Sequence, residues 1–163
     1  MKAVLKIIGT IIIRLLSWIP TLGMMYIIFS FSAQAGDTSG ALSLKVAEKL
    51  IGHFSQGLSP DQVHTFALSL QYPIRKLAHF SEYAVLALCM AITLACHGVR
   101  GFKLFVCIVL FAAAFAAGDE YHQSFVPGRG PSVVDVLIDS SGAICMAVLL
   151  GIITRRRRAR MKV

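Results

Sequence analysis

Apolar residues fall into four long runs separated by shorter polar stretches. They span about Leu15 to Phe31, Ile74 to His97, Phe102 to Gly118 and Ser132 to Thr154. About 20 apolar residues in helical form cross a bilayer core. Within lipid every backbone polar group must be satisfied internally, so each run is predicted to be a transmembrane helix. The second and fourth runs begin just after Pro73 and Pro131, and proline suits the first helical turn, where its missing N–H is no loss. A basic amphipathic lead-in with Lys2, Lys6 and Arg14 precedes the first run.

The polar stretch between the first two runs, residues 32–72, carries its own periodicity. Leu42, Val46, Leu50 and Phe54 recur every four residues, with Lys45, Glu48 and Lys49 among them. This spacing predicts an amphipathic helix with that stripe as its apolar face. Ser59-Pro60-Asp61-Gln62 reads as a capping box with proline at the first helical position, and Val63, Phe66, Ala67 and Leu70 continue it as a second short helix. Both are expected on the outer membrane surface or roofing the bundle.

Composition agrees: 56% of the 163 residues are hydrophobic, too many for an ordinary soluble domain. The net charge of +8 does not indicate nucleic acid, because the basic residues flank apolar segments instead of interleaving with a polar, aromatic surface. Cys89, Cys96, Cys107 and Cys145 lie inside apolar runs without a C-x-x-C pair and read as small buried thiols. With the N-terminus placed in the cytoplasm, eleven of the sixteen basic residues fall inside and all eight acidic residues fall in the outer half. Lysine and arginine in short flanks set orientation. Four spans with both termini cytoplasmic follow, and the basic tail 155–163 becomes an orientation and headgroup anchor. Ala33-Gln34-Ala35 matches a signal-cleavage pattern, but Arg14 and the long apolar run favour a retained anchor.

This topology gathers the polar residues of the spans on one side. Arg75, His79 and Glu82 share a helix face at i, i+4 and i+7, flanked by Lys76 and Tyr83. Asp135, Asp139 and Gly142 share a face of the fourth run in the same way. Asp119, Glu120 and Gln123 close the third run, and Ser30, Ser32 and Gln34 close the first. Counting about 1.5 Å per residue, Glu82 and Asp139 lie about 12 Å in, and His79 and Asp135 about 6–8 Å. A carboxylate at such depth costs about 2.5–3.5 kcal/mol or more. Several at similar depth imply a polar cavity that opens outward. Arg75, Lys76, His79 and Arg129 supply counter-charge, and the turn Pro127-Gly128-Arg129-Gly130-Pro131 is able to fold the guanidinium over the cavity mouth. His122 is expected as an exposed loop histidine.

Single polar residues also lock membrane helices together, but glue needs one or two contacts, whereas five carboxylates face one compartment here. Glu82, Asp135, His79, Asp119 and Glu120 are the candidate acid–base cluster, since crowded carboxylates in a low-dielectric site retain protons. Arg129, Lys76, Arg75, Gln123, Tyr83 and Asp139 are the candidate substrate-binding residues. The oxygen-rich set also suits a divalent cation such as Mg²⁺, Ca²⁺ or Mn²⁺, with Zn²⁺ permitted by His79, although H-x-x-E is not a zinc-protease motif.

"IRKLAHFSEYAVL" (74–86) is similar to the motif K-x-x-H-F-x-E-Y, and "DEYHQSFVPGRGPSVVDVLIDSSG" (119–142) to D-E-x-x-Q-x-F-x-P-G-R-x-x-x-x-x-D-x-x-x-N-x-x-G. With "FSFSAQ" (29–34) they resemble the VanZ-like family of small bacterial membrane proteins, over most of a single domain, residues 1–163. The resemblance implies an all-α, four-span, multi-pass protein of the bacterial plasma membrane. The family's marked positions fall on Lys76, His79, Glu82, Tyr83, Asp119, Glu120, Gln123, Arg129, Asp135 and Gly142. Asp139 departs from it, standing where asparagine is usual, and Met146 departs where a small residue would favour close packing. The family takes its name from low-level resistance to the glycopeptide teicoplanin.

Three functions compete. An envelope factor would bind or modify a lipid-linked component from the outer leaflet. A membrane hydrolase or transferase would use Glu82 or Asp135 as base and Arg129 to hold an anionic headgroup. A non-catalytic ion-coupled carrier, oligomeric because four helices are few, or a scaffold would use the polar faces to bind partner helices.

Overall fold

The computed structural model describes residues 1–55 and 57–161 of the chain. Six helices follow in order: α1 (Lys2–Leu16), α2 (Trp18–Ser32), α3 (Gly36–Phe54), α4 (Pro60–Cys96), α5 (Gly101–Gln123) and α6 (Val133–Arg160), and no strand occurs among the described residues. Four stretches are long and apolar enough to cross a membrane: Lys2–Ser32, Pro60–Cys96, Gly101–Gln123 and Val133–Arg157. They form a bundle in which α4 lies at the centre and packs most extensively on α6.

The interior is built from small residues. Ala87 and Ala91 of α4, Ala112 and Ala116 of α5, and Ala143 and Ala147 of α6 are buried around Tyr83, Leu86, Met90 and Ile108. Lipid is as apolar as leucine, so membrane helices associate through close packing of small side chains, and large ones turn outward. Gly142 marks the tightest approach: a Cβ there would collide with the backbone carbonyl of Phe80. Deeper in the bundle, Thr93 donates to the Ser17 carbonyl at 2.6 Å and shares a hydrogen bond of 2.9 Å with Thr21, joining α4 to the start of α2.

Two local expectations are corrected, the start of a helix at Pro73 and the burial of the cysteines. Pro73 does not begin a helix: α4 runs unbroken through it for 37 residues, joining the expected span 74–97 to the short helix that the Ser59 capping box initiates. Proline removes an N–H donor and crowds the preceding turn. Here α3 bridges the site from outside, because Ala47 and Ile51 cluster with Val63, Ala67 and Ile74 on either side of it, and Gln71 donates to the Gly40 carbonyl at 2.8 Å. The predicted amphipathic helix forms as α3, with its stripe of Leu42, Val46, Leu50 and Phe54 exposed and Ser43, Ala47 and Ile51 buried. The cysteines are free, but they are half-buried at Cys89, Cys96 and Cys107 and exposed at Cys145.

The remaining boundaries move by extension. The third and fourth runs lengthen to α5 and α6, which brings Asp119, Glu120 and Gln123 onto helix and carries the basic tail on as helix to Arg160. Lys162 lies outside the described residues. The lead-in is the helix α1, exposed along nearly its whole length, and α2 starts at Trp18, after Ser17.

Candidate functional site

α4 and α6 run in register from one end of the bundle. Lys76 pairs with Asp135, and one turn further His79 Nδ1 lies 3.4 Å from Asp139 Oδ1. This second contact is within ion-pair reach but is not aligned as a hydrogen bond, so both oxygens of the fully buried Asp139 lack hydrogen-bond partners. Asp139 thus stands opposite His79, one turn short of the expected level with Glu82. Because α4 begins at Pro60, depth counted from Ile74 has no helix start as its origin.

α5 contributes from the third side. Gln123 donates to Asp119 Oδ2 at 3.1 Å, leaving Asp119 Oδ1 buried without a partner. Glu120 faces the start of α6, where its Oε2 accepts the Ser132 N–H at 2.7 Å. Ser132 in turn caps α6 through the Asp135 N–H at 3.2 Å, and Asp135 sits in the first turn, where the helix dipole favours negative charge.

The turn 127–131 behaves as its glycines predict. Gly128 has φ +72°, a left-handed conformation natural to glycine, and the Gly36 N–H donates to the Pro127 carbonyl at 3.1 Å. The Arg129 guanidinium folds back over the bundle. It donates to the Gln34 carbonyl at 2.9 Å, to the Phe31 carbonyl at 3.1 Å and to Gln123 Oε1 at 3.1 Å. It thereby occupies carbonyls at the C-terminal end of α2, where a cation is favoured. Burial, and then the neighbouring Arg75 charge, push Arg129 below its ordinary pKa, against the pull of Asp119, Glu120 and Asp135. A guanidinium starts so high that it stays charged.

A cavity of about 240 Å³ opens beneath this arginine. His79, Glu82, Asp119, Arg75 and Arg129 line it, and Ile28, Phe31, Leu42, Val46 and Ile74 form its apolar wall. The structure brings these five predicted residues together and sets the other six around them. Lys76 and Asp135 are committed to each other, Asp139 backs His79, Gln123 links Asp119 to Arg129, and Glu120 holds the start of α6. Tyr83 does not line the cavity; it is fully buried in the core, 6.1 Å from the Phe115 ring, with an unpartnered hydroxyl. Among the described residues, no three His, Cys, Asp or Glu side chains converge as a metal-ligand group. His122 is half-buried on helix α5, its ring 4.2 Å from that of Phe29, and is not an exposed loop residue.

Sequence reasoning missed the wall that α3 supplies. Ser39, Leu42, Ser43 and Val46 line the cavity, and Ser43 donates to the Ser39 carbonyl at 2.7 Å. The available signal was the pair of serines four apart, Ser39 and Ser43, beside Gly36 and Gly40, small residues suited to close packing.

Residues 17–154 match the family described as VanZ/LLP1. The chain belongs to the VanZ/LLP1 family. The match runs from the Ser17 junction between α1 and α2 to Thr154 near the end of α6, so it encloses every residue of the cavity. No curated protein and no solved structure matches the chain. This VanZ/LLP1 member is a multi-pass membrane protein with four helices able to span. The stretches 74–86 and 119–142, which carry the resemblance, meet at the cavity through His79, Glu82 and Asp119.

Proposed function

We propose that this VanZ-family protein sits in the bacterial plasma membrane with both termini cytoplasmic. Through its outward-opening polar cavity it binds or modifies a lipid-linked component of the cell envelope, and so influences susceptibility to teicoplanin. The observation that carries the reading is the cavity's two-sided lining: Arg75, Arg129, Glu82, Asp119 and His79 face an apolar wall of Ile28, Leu42, Val46 and Ile74. An amphiphile with a charged head and a hydrocarbon chain suits both sides. A pocket joining a few convergent polar groups to apolar walls is the usual form of a small-molecule site.

Lipid mass spectrometry on deletion and overexpressing strains tests it, alongside strains carrying Glu82→Gln, Asp119→Asn and Arg129→Lys at equal protein level. The expected result is a changed envelope-lipid profile, or a lipid that co-purifies with wild type and not with the variants. Unchanged lipids and unchanged teicoplanin susceptibility in every strain, with no co-purifying lipid, would sink the reading. A changed profile assigns modification; co-purification alone assigns binding. Asp139, fully buried with both oxygens unpartnered, favours one second reading, an ion-coupled carrier. Proteoliposomes that carry no proton or sodium flux under a gradient exclude it.

A further inference from the structure

Three ion pairs form among the described residues: His64–Glu48 between α3 and α4, Lys76–Asp135 and His79–Asp139. None of them uses the four charged side chains Arg75, Arg129, Glu82 and Asp119 that line the cavity. Two basic and two acidic side chains therefore line about 240 Å³ without forming an ion pair with one another. Arg129 spends its hydrogen bonds on neutral oxygens of Phe31, Gln34 and Gln123. Asp119 is 4% exposed, and its Oδ1 has no partner.

Geometry keeps them apart. Glu82 lies seven residues beyond Arg75 on α4, about 10 Å further along the helix. Asp119 lies one turn inward of Gln123, which Arg129 touches. Both cations thus stand at the mouth and both carboxylates about one to two turns inside. Partly buried charges without opposite partners are costly, and a ligand bearing the complementary charges in the reverse order removes that cost.

We infer that the cavity takes a zwitterionic amphiphile, its phosphate held at the mouth by Arg75 and Arg129 and its primary amine inside against Glu82 and Asp119. This names the ligand class and rests on the lipid-binding reading above. A primary ammonium brings three N–H donors to carboxylate oxygens, whereas a quaternary one brings none. Leu42 and Val46 line the cavity and also belong to the exposed apolar stripe of α3, so an acyl chain has a continuous greasy path out of the site.

The test uses the full-length protein in neutral detergent, titrated by native mass spectrometry with dioleoyl phosphatidylethanolamine, phosphatidylglycerol and phosphatidylcholine. One charge-assisted contact corresponds to about tenfold or more in affinity, so phosphatidylethanolamine is expected to bind at least about tenfold tighter than the other two. N-acetylation of its amine should abolish that margin, an arm that needs no protein variant. Glu82→Gln and Asp119→Asn should flatten the preference while leaving phosphatidylglycerol binding in place, and Arg75→Gln/Arg129→Gln should weaken all three lipids. Equal binding of the three lipids to wild type, still lost in the arginine variant, overturns the amine assignment and leaves the lipid-binding reading standing. Binding that ignores every cavity substitution overturns both. Free phosphoethanolamine competing as strongly as the lipid would replace the membrane source with a soluble one.

Discussion

Lys76 and Asp135 are mostly buried, with side chains 17% and 12% exposed, and each depends on the other for compensation. Removing one partner of such a pair leaves an uncompensated charge, at about 3–5 kcal/mol. Lys76→Met is expected to lose that much in denaturant unfolding followed by circular dichroism, and Lys76→Met/Asp135→Leu to recover most of it. Equal losses in the single and double variants would show that the pair is not the cause. Asp139 should behave oppositely. Asparagine keeps its shape and relieves a buried acid of charge, so Asp139→Asn is expected to unfold within about 1 kcal/mol of wild type or above it. A large loss would mean that the His79 contact needs the carboxylate. The sequence showed which residues share a face, since helix geometry fixes that, but not which would be consumed by pairing. Asp135 and His79 sat equally well placed as acid–base candidates; only the register of α4 against α6 commits the first to Lys76 and leaves the second on the cavity.

Between elements, the contact of Gly142 with the Phe80 backbone sets how closely α6 approaches α4. Gly142→Ala is expected to cost about 1–3 kcal/mol through overpacking. Gly151→Ala, on the same helix but with nothing within 4 Å of its added methyl, should cost nothing in the same unfolding assay. Similar losses for both would show that the Phe80 contact is not the cause, since helix propensity alone favours alanine over glycine at both positions. The boundaries legible in the sequence were those set by local chemistry, such as the capping box of Ser59 and Gln62, whose two hydrogen bonds measure 2.9 and 3.3 Å. Pro73 misled because the proline rule is local, whereas α3 packs on both sides of it from a separate part of the chain. The stripe on α3 was legible as an apolar face, but the residues that α3 buries were not. In water an apolar face signals the core, but beside lipid it also signals the outside, and alanines and serines mark the buried side.

For the whole molecule, the four spans and their order were readable because length and hydropathy decide them, and the cavity was foreseeable because so many charged residues fall at one end of the bundle. The small-residue core was not singled out, because alanines also occur on exposed faces and mark the buried side only where they repeat along one face. Charge separates along the bundle: Arg14, Arg100, Lys103 and Arg155 lie at the end opposite Arg129 and the carboxylates. That asymmetry predicts that green fluorescent protein fused at either terminus fluoresces, and that alkaline phosphatase fused after residue 163 stays inactive. Active phosphatase there would reverse the orientation. The unbroken course of α4 through Pro73 has one more effect. A rod without a joint has a fixed phase, so Val63 and Ala67 under α3 and His79 and Glu82 in the cavity turn together. One residue inserted near Pro73 would rotate the two halves by about 100° against each other, with no loop to absorb it. The spacing from Ala67 to Glu82 is therefore an angular setting, and segment length here matters as much as residue identity.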